Sequence, residues 1–396
     1  MTLLLYCDEY CYLYNGSYYL ESFGLLLIKR YLSTFDTVRV PLRVKKVDTE
    51  QELEKNNCLI DDSRISVIPL PYGNGAADFI KHYAKIKRSL KGVCNNIDLA
   101  ILRLPSIYSF TVLNEVLKSR IPYALELVFD CHDGYTSANS ILEKISWRWM
   151  HLKQKRACKN AIGISCVTEK YLQQRYNNDN PSVIKAHYSS IELPESFFYQ
   201  PRLYPKGKQF KIVHIAYQVS FNSRKGHNQL IEALSRVRRR GYDVSIYFVG
   251  GDYNKGVSLL KDYAEKLGVA DYIQFTGFLS RPELRELLIS SDLAVLPTKA
   301  EGLPRVVIES MAMGLPCISS NVSGNPELLE KKYLLEYSDV DALADAIIRL
   351  VSNPKEYESV SARNFKISWK YEAKKLDSDR NDFYNELKNI VLNGKF

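Results

Sequence analysis

Two glutamates separated by seven residues, Glu301 and Glu309, lie in the stretch EGLPRVVIE. An apolar run of strand type, Leu293 to Leu296, precedes them, and Gly314 follows them before another apolar run. This order predicts a strand, a loop, a helix and a turn. Pro304 suits the first helical position and Gly314 suits the helix end. We therefore expect Glu301 on the loop and Glu309 on the second turn of the helix.

The start of this helix has the properties of an anion site. The backbone amides of Gly302, Leu303 and Arg305 lie at the helix N-terminus, where the helix dipole is equivalent to about half a positive charge. A carboxylate can accept two charge-assisted hydrogen bonds from a vicinal diol. The pattern predicts that Glu309 holds a ribose and Glu301 a sugar ring, with a diphosphate between them. Those three parts make up a nucleotide sugar.

A diphosphate leaving group also requires cations. The stretch FNSRKGHNQ supplies Arg224 and Lys225 directly after a predicted strand, FKIVHIAY, at the edge where ligands of such sheets bind. A glycosidase is a competing interpretation, because glycosidases use two carboxyl groups that flank one sugar bond. The spacing of Glu301 and Glu309 across a helix start is not specific evidence for that chemistry.

The elements around these residues alternate between strand and helix. From Phe210 onward the pattern repeats as βα units, which build a parallel, doubly wound sheet with ligands at the carboxyl ends of its strands. The first half is less regular, with TLLLYC as its first strand and a helix from about Tyr18 to Tyr31. Ser189 to Phe210 has no clear period and contains prolines, so we interpret it as the linker. We therefore expect two α/β domains, 1–200 and 201–370.

Composition and charge exclude several classes of protein. The 396 residues are 46% apolar and 25% charged, as in soluble globular proteins. The net charge of +9 is spread over both halves, so no nucleic-acid-binding tail is visible. The eight cysteines form no CxxC pair and are typical of free thiols in a cytoplasmic protein. No apolar run approaches the ~20 residues of a membrane span, and the first residues resemble a strand and not a signal peptide.

One segment concentrates the positive charge. From Lys144 to Lys159 there are six Lys or Arg residues and no acid, and the cations Lys144, Arg148, Lys155 and Lys159 recur with His151 on one helix face. Ile145, Trp149 and Leu152 form an adjacent apolar stripe, and Trp147 lies nearby. This segment could contact a membrane surface or an acidic substrate, or it could be a solvated helix face.

The stretch from about Val213 to Glu330 resembles the donor domain of retaining glycosyltransferases with the GT-B fold, specifically glycosyltransferase family 4 (glycosyl transferases group 1). The family's Glu-x7-Glu motif is matched inside EGLPRVVIESMAMGLPCISSNVSGNPE. Shorter motifs are matched at Lys225–Gly226, at Gly250–Gly251 and at Gly277–Phe278. The N-terminal half resembles the family only in organisation, with Gly16 where a glycine loop is expected and CVTE at Cys166–Glu169.

The resemblance implies two Rossmann-like, doubly wound domains that face a cleft, and a final helix, 371–396, that crosses back to the first domain. It implies that Glu309 binds ribose, Glu301 binds the transferred sugar and Lys225 pairs with the diphosphate. It assigns the donor as well to the residues Gly16, Gly251, Phe278 (by its backbone), Gly302, Leu303, Pro304 and Arg305. The chain departs from the family at Gln218, which lies near the place of a usual Arg, and Arg224 is a possible substitute. Near the sugar, the family's histidine corresponds to one of Asp130, His132 and Asp133.

The implied reaction is transfer of a sugar with retention at the anomeric carbon, by electrostatic stabilisation of the leaving diphosphate. Closure of the domains would exclude water from the donor. No Asp-x-Asp occurs in the expected donor loops, so we expect neither a metal nor another cofactor. The expected partners are a nucleotide sugar and a glycan or polyprenyl-linked acceptor in surface polysaccharide biosynthesis. The enzyme is expected in the cytoplasm, either free or peripheral at the inner face of the membrane. A nucleotide-sugar epimerase and a non-catalytic nucleotide-sugar-binding protein are the alternatives. Transfer to nucleic acid has only the basic charge in its favour.

Overall fold

The structure is a computed structural model that describes residues 1–53, 57–73, 75–138, 140–207 and 209–394. Their contacts divide the chain into two compact units. The first unit comprises Met1–Tyr135, Ser140–Tyr188 and Asp377–Phe396, and the second comprises Thr136–Asn139 and Ser189–Leu376. The chain passes from the first unit to the second at Tyr188, twelve residues before the boundary expected from sequence.

The first unit is built on a mainly parallel sheet with the strand order β6-β4-β1-β7-β8-β9-β10, to which β2, β3 and β5 are added beside β4. Its strands are β1 (Thr2–Tyr6), β2 (Tyr10–Tyr14), β3 (Ser17–Glu21), β4 (Thr37–Lys46), β5 (Asn57–Leu59), β6 (Ile65–Pro71), β7 (Leu99–Leu104), β8 (Tyr123–Leu127), β9 (Gly163–Cys166) and β10 (Ile184–His187). Its helices are α1 (Ser22–Tyr31), α2 (Gly75–Ser89), α3 (Ile107–Ser119), α4 (Cys131–Ser137), α5 (Ile141–Asn160) and α6 (Tyr171–Arg175). The core strand order is that of a doubly wound nucleotide-binding fold.

Gly16 lies in a tight turn between β2 and β3. Asn15 and Gly16 both have positive φ, 46° and 78°, as a two-residue hairpin turn requires. This turn also accounts for an error in the sequence analysis. The predicted helix from Tyr18 begins only at Ser22, because Tyr18 pairs with Leu13 in the antiparallel hairpin.

The second unit is a parallel sheet with the strand order β13-β12-β11-β14-β15-β16, again a doubly wound arrangement. Its strands are β11 (Phe210–Val219), β12 (Val244–Asp252), β13 (Ile273–Gly277), β14 (Leu293–Leu296), β15 (Cys317–Ser320) and β16 (Leu334–Leu335). Its helices are α7 (His227–Arg239), α8 (Gly256–Lys266), α9 (Arg281–Ser290), α10 (Arg305–Ala312), α11 (Asn325–Leu328), α12 (Val340–Ser352) and α13 (Pro354–Ser368).

Burial explains why these segments form strands and amphipathic helices. Every residue of β14 and of β15 is buried, as expected for central strands covered on both faces. Helix α12 buries Leu343, Ile347 and Leu350 at spacings of four and three, which places one apolar stripe against the sheet. The core of the second unit therefore follows from the periodicity of its sequence.

The last helix, α14 (Ala373–Leu392), belongs from Asp377 onward to the first unit. The hydroxyl of Tyr384 donates to Glu126 Oε1 at 2.8 Å, and its ring stacks on Tyr31. Glu126 also pairs with Arg103 at 2.7 Å, so its charge is compensated inside the core. The core of the first unit therefore contains residues from both ends of the chain.

All eight cysteines carry free thiols, as the sequence predicts. Among the helices described, none combines the length and the hydropathy needed to cross a bilayer.

Candidate functional site

The loop between β14 and α10 holds Glu301 in a fixed backbone. The Glu301 amide donates to Ser323 Oγ at 3.1 Å, and the Gly302 carbonyl accepts from the Gly324 amide at 3.0 Å. Pro304 precedes the first helical residue, Arg305, so it lies one position earlier than the sequence predicts. Glu309 falls on the second turn of this eight-residue helix, as expected.

The loop between β11 and α7 approaches the same strand end. Gly226 has a φ of 73°, and a Cβ there would lie 1.9 Å from the carbonyl oxygen of Pro297. The Lys299 amide donates to the Arg224 carbonyl at 2.9 Å. Glycine is therefore required at position 226, because any side chain would push the loop away from the end of β14.

Lys225 and Glu301 meet at this junction. Lys225 Nζ lies 2.5 Å from Glu301 Oε1, within a partly buried ion pair. Arg224 and Gln218 are exposed. The structure thus brings together the cation and the carboxylate that the sequence assigns to the diphosphate and the sugar.

Glu309 borders a cavity of about 380 Å³ within the second unit. Arg281, Arg285 and Glu286 of α9 line one side of this cavity, and the segment 192–197 lines another. Burial raises the pKa of Glu309 to about 6, and the opposite effect of Arg305 and Arg281 only partly offsets it. The cavity offers two guanidinium groups and the carboxylates of Glu192, Glu286 and Glu309 to a polar ligand.

Gly251 and Phe278 are in contact at the ends of β12 and β13. A Cβ on Gly251 would lie 2.3 Å from the Phe278 ring, so the ring covers the backbone there. The exposed ring of Tyr217 lies 5.3 Å from that of Phe278, centroid to centroid. Together they form an aromatic surface at the carboxyl ends of three neighbouring strands.

Two buried histidines lie behind Lys225. His214 Nδ1 hydrogen-bonds the carbonyl of Val295 at 2.9 Å, and the His214 and His227 rings meet edge to face at 4.7 Å. Neither nitrogen of His227 has a hydrogen-bond partner in the described part of the chain. Burial lowers the pKa of His214 to about 4 and that of His227 to about 2, so both rings stay neutral.

In the first unit, Asp130 is fully buried. Its carboxylate accepts from the Tyr176 hydroxyl at 2.5 Å and pairs with Arg175 at 2.8 Å. His132 is partly exposed and lies next to Asp133, which accepts from Tyr171. Ligand atoms of Asp130, His132 and Asp133 all lie within 4.8 Å of one another. Because Arg175 already compensates the charge of Asp130, this group is better suited to holding His132 than to binding a cation.

The hydrogen bonds around Asp130 and Tyr176 also show which residues of α5 contribute less to the expected basic face. Tyr176 donates its single proton to Asp130, so His151 Nδ1, 3.0 Å from that hydroxyl, must carry the proton between them. Burial and the nearby Lys155 lower the pKa of His151 to about 4. Trp147 packs against Gly134 and Phe129. His151 and Trp147 are thus half-buried and held by these contacts, so they contribute less to the cationic face than the sequence predicts.

Sequence reasoning missed several residues of the site. Ser323 fixes the Glu301 backbone from a turn 22 residues away, and no local signal reveals that contact. Arg281 and Arg285 line the cavity of Glu309. Their helix was recognisable from its capping box, Ser280 with Glu283, but the direction of the two side chains was not.

Comparison with known proteins finds a family similar to the segment that contains this site. Residues 205–366, which contain the Lys225, Glu301 and Glu309 loops, match the model of the family described as Glycosyl transferases group 1. The matched segment is thus similar to glycosyl transferases group 1. This similarity supports the activity of a glycosyltransferase that transfers a sugar from a nucleotide sugar.

Similar proteins extend over the whole chain. Protein CapJ of Staphylococcus aureus is 28% identical over 392 residues, which cover 99% of this chain and 97% of CapJ. A GDP-mannose-dependent alpha-(1-6)-phosphatidylinositol monomannoside mannosyltransferase of Mycobacterium tuberculosis is 32% identical over 138 residues, which cover 32% of this chain and 35% of that enzyme. The structure of HepE from Anabaena in complex with UDP-glucose superimposes with a TM-score of 0.67 at 16% identity, covering 98% of this chain and 100% of HepE. The fold is thus GT-B, with two Rossmann-like domains, as predicted.

The buried histidines predict that the folded state is sensitive to acid. A histidine whose pKa is lower when folded than when unfolded binds its proton mainly in the unfolded state, so stability is lost as pH falls below about 6.5. Each such histidine costs the folded state about 1.4 kcal/mol per pH unit below that value. We expect the melting temperature to fall between pH 7 and pH 5, and His227→Phe to reduce that fall. His82→Gln, on the surface helix α2, is the control, and a fall of equal size in His227→Phe would contradict the prediction.

Proposed function

We propose that this protein is a metal-independent, retaining hexosyltransferase that adds a sugar to a glycan or lipid-linked acceptor in surface polysaccharide biosynthesis. The observation that carries the proposal is the contact between Lys225 and Glu301 at the loop that leads into α10, with Glu309 on the second turn of that helix. A cation, an anion-binding helix start and two carboxylates are arranged there in the order that a nucleotide sugar requires.

In the proposed site, Glu309 binds the ribose hydroxyls and Glu301 the hydroxyls of the transferred sugar. Lys225 and the helix start, Gly302 to Arg305, stabilise the charge that develops on the leaving diphosphate. Arg224 is exposed beside Lys225 and is a second candidate cation. Phe278 and Gly251 border the base side of the donor, and Arg281 lies where it can contact the nucleoside. No metal ion or other cofactor is needed in this scheme, because Lys225 and the helix dipole supply the positive charge.

His132 is proposed to act near the sugar. It is the exposed member of the group Asp130, His132 and Asp133, and Asp130 fixes the start of its helix by accepting from the His132 amide at 2.8 Å. Asp130 is thus a positioning residue in this proposal. Gly16 has the conformation of a hairpin turn, and its predicted contact with the donor stays a prediction.

The acceptor is proposed to be lipid-linked. The similar mycobacterial enzyme is named for a phosphatidylinositol mannoside acceptor. We propose that the enzyme reaches such a lipid by peripheral contact at the inner face of the membrane. This proposal requires a surface that combines apolar and cationic residues.

Helix α5 provides that surface. Ile141, Ile145 and Leu152 share one face and are 76%, 61% and 52% exposed, on the side of the helix opposite the buried Met150 and Gln154. The flanking cations Lys144, Arg148, Lys155, Arg156 and Lys159 are exposed as well. An apolar ridge that points to solvent between cations is unusual for a solvated helix and fits the headgroup region of an anionic bilayer.

Helix α2, which the sequence analysis did not single out, has the same character. Ile80 and Tyr83 are exposed, with the exposed cations Lys81, Lys85, Lys87 and Arg88. Helix α3 contacts both helices, through Tyr108 to Phe79 of α2 and through Phe110 to Trp149 of α5. The membrane surface of the first unit therefore has two candidate helices.

Glu309→Ala should weaken binding of the nucleoside diphosphate and of the sugar donor alike. Hydrogen bonds to a charged group contribute ~1.5–3 kcal/mol, so we expect a ten- to hundredfold loss in affinity. Because burial raises the pKa of Glu309 to about 6, wild-type affinity should also fall below pH 6 more steeply than that of the variant. Calorimetry measures both effects, with Glu265→Ala on α8 as the control. Unchanged affinity in Glu309→Ala would exclude the ribose contact.

Lys225→Ala should reduce turnover by ~10²–10³, the usual loss when one group that stabilises developing charge is removed. Wild-type turnover should be the same with and without EDTA. Both statements are tested by measuring how fast the nucleoside diphosphate is released from a panel of nucleotide sugars. The assay contains a polyprenyl diphosphate-linked acceptor. Full activity in Lys225→Ala would indicate that Arg224, and not Lys225, stabilises the leaving diphosphate. Inactivation by EDTA would contradict the metal-independent scheme.

The membrane surface can be tested by co-sedimentation with vesicles. Each cation near an anionic surface contributes ~1 kcal/mol, so Lys144→Glu, Arg148→Glu and Lys155→Glu together should lower binding to anionic vesicles at least a hundredfold. A control with the same change in charge is Lys261→Glu, Lys266→Glu and Lys355→Glu, all exposed on the second unit. Ile145→Gln with Leu152→Gln should weaken binding without changing charge. If all variants pellet with anionic vesicles as much as the wild type does, helix α5 is not the membrane-binding surface.

A further inference from the structure

The cation proposed for the diphosphate is already paired with the carboxylate proposed for the sugar. Lys225 Nζ lies 2.5 Å from Glu301 Oε1, and the two side chains are 35% and 11% exposed. A contact between an ammonium and a carboxylate is charge-assisted and therefore stronger than a neutral hydrogen bond. In the proposed function, a phosphate oxygen of the donor would bind Lys225 at the place that Glu301 occupies here.

The backbones on both sides of the pair are held in place. On the Lys225 side, Gly226 lies against the carbonyl of Pro297, and the Lys299 amide donates a hydrogen bond to the Arg224 carbonyl. Ser323 and Gly324 hold the Glu301 loop. The partner of Lys225 can therefore change by rotation of two side chains, without movement of either loop.

The surroundings make each charge dependent on the other. His214 and His227 interact electrostatically with Lys225, and both stay neutral because they are buried. Gln218 lies near the place where the resemblance implies a second cation, and the possible substitute Arg224 is exposed, so Lys225 is the partly buried cation of this loop. Separating the pair leaves a largely buried carboxylate without its counter-charge, and that is costly unless new donors replace Lys225.

We propose that Glu301 competes with the diphosphate for Lys225 and thereby favours the sugar-bearing donor over the free nucleoside diphosphate. The inference rests on the proposed function. The phosphate of a nucleotide sugar binds Lys225, and the hydroxyls of its sugar donate hydrogen bonds to Glu301 in place of Lys225. The free nucleoside diphosphate also binds Lys225, but it carries no sugar hydroxyls that could donate to Glu301. After transfer, Glu301 returns to Lys225 and weakens the hold on the diphosphate product.

The competition predicts an unusual gain in affinity. Glu301→Gln keeps the size of the side chain and removes its charge, so Lys225 becomes available to a phosphate. We expect the variant to bind the nucleoside diphosphate about tenfold more tightly than the wild type, and its affinity for the nucleotide sugar to rise less or to fall. Inhibition by the diphosphate product should strengthen in parallel with the tighter binding.

The experiment measures dissociation constants by calorimetry, with whichever of UDP, GDP, ADP and dTDP binds the wild type most tightly. The variants are Glu301→Gln, Lys225→Met and the double variant, so that the coupling between the two residues is obtained from a double-mutant cycle. The effect of Glu301→Gln should vanish in the Lys225→Met background. Unchanged or weaker diphosphate binding in Glu301→Gln, or an equal gain without Lys225, would overturn the inference.

Glu309→Gln separates this result from failure of the proposed site. If Glu309→Gln loses diphosphate affinity while Glu301→Gln gains none, the site is correct and the competition is refuted. If Glu309→Gln binds normally, the nucleotide does not lie at α10 and both proposals fail. A melting temperature within the wild-type range in each variant confirms that the readout is binding and not folding.

Discussion

The donor-side site depends on one close approach, that of Gly226 to the carbonyl of Pro297. A Cβ at Gly226 would lie 1.9 Å from that oxygen, so the loop after β11 can reach the end of β14 only with glycine there. The approach brings Lys225 to Glu301 and lets the Lys299 amide bond the Arg224 carbonyl. If the loop moved outward by the width of a methyl group, the ion pair and this hydrogen bond would be lost together. A small backbone contact thus positions the charged groups of the site.

The second unit surrounds that contact with rigid support. Strands β11 and β14 are neighbours in the sheet, so their carboxyl ends deliver the two loops to the same edge. The turn at Ser323 and Gly324 follows β15, the next strand along, and holds Glu301 from the other side. Three adjacent strands therefore determine the position of one carboxylate. The rigidity is consistent with a reaction whose catalysis relies on preorganised charge.

Much of the second unit was predictable because its signals are local. Strand β14, helix α10 and the capping box of α9 each follow from residues within a few positions of one another. The contacts that define the site are not local: Lys225 and Glu301 are 76 residues apart, and nothing in the sequence shows that they touch before a donor binds. Periodicity likewise placed Ile145 and Leu152 on one face of α5. Periodicity could not show that this face points to solvent, because an apolar stripe has the same spacing whether it faces the core or the solvent. At Tyr18 the helix prediction failed because the hairpin turn at Asn15–Gly16 was not recognised.

Helix α14 links the order of synthesis to the order of folding. Gly163 leaves room for Leu387 and Phe383, and Tyr384 reaches the carboxylate of Glu126, so the first unit is finished by residues made after the whole second unit. While the ribosome is still translating the second unit, an aromatic and apolar surface of the first unit remains uncovered, with the Arg103–Glu126 pair at its base. The second unit, by contrast, has all its strands once residue 335 has emerged. The unit that is translated first therefore cannot be completed until the unit translated second has been made.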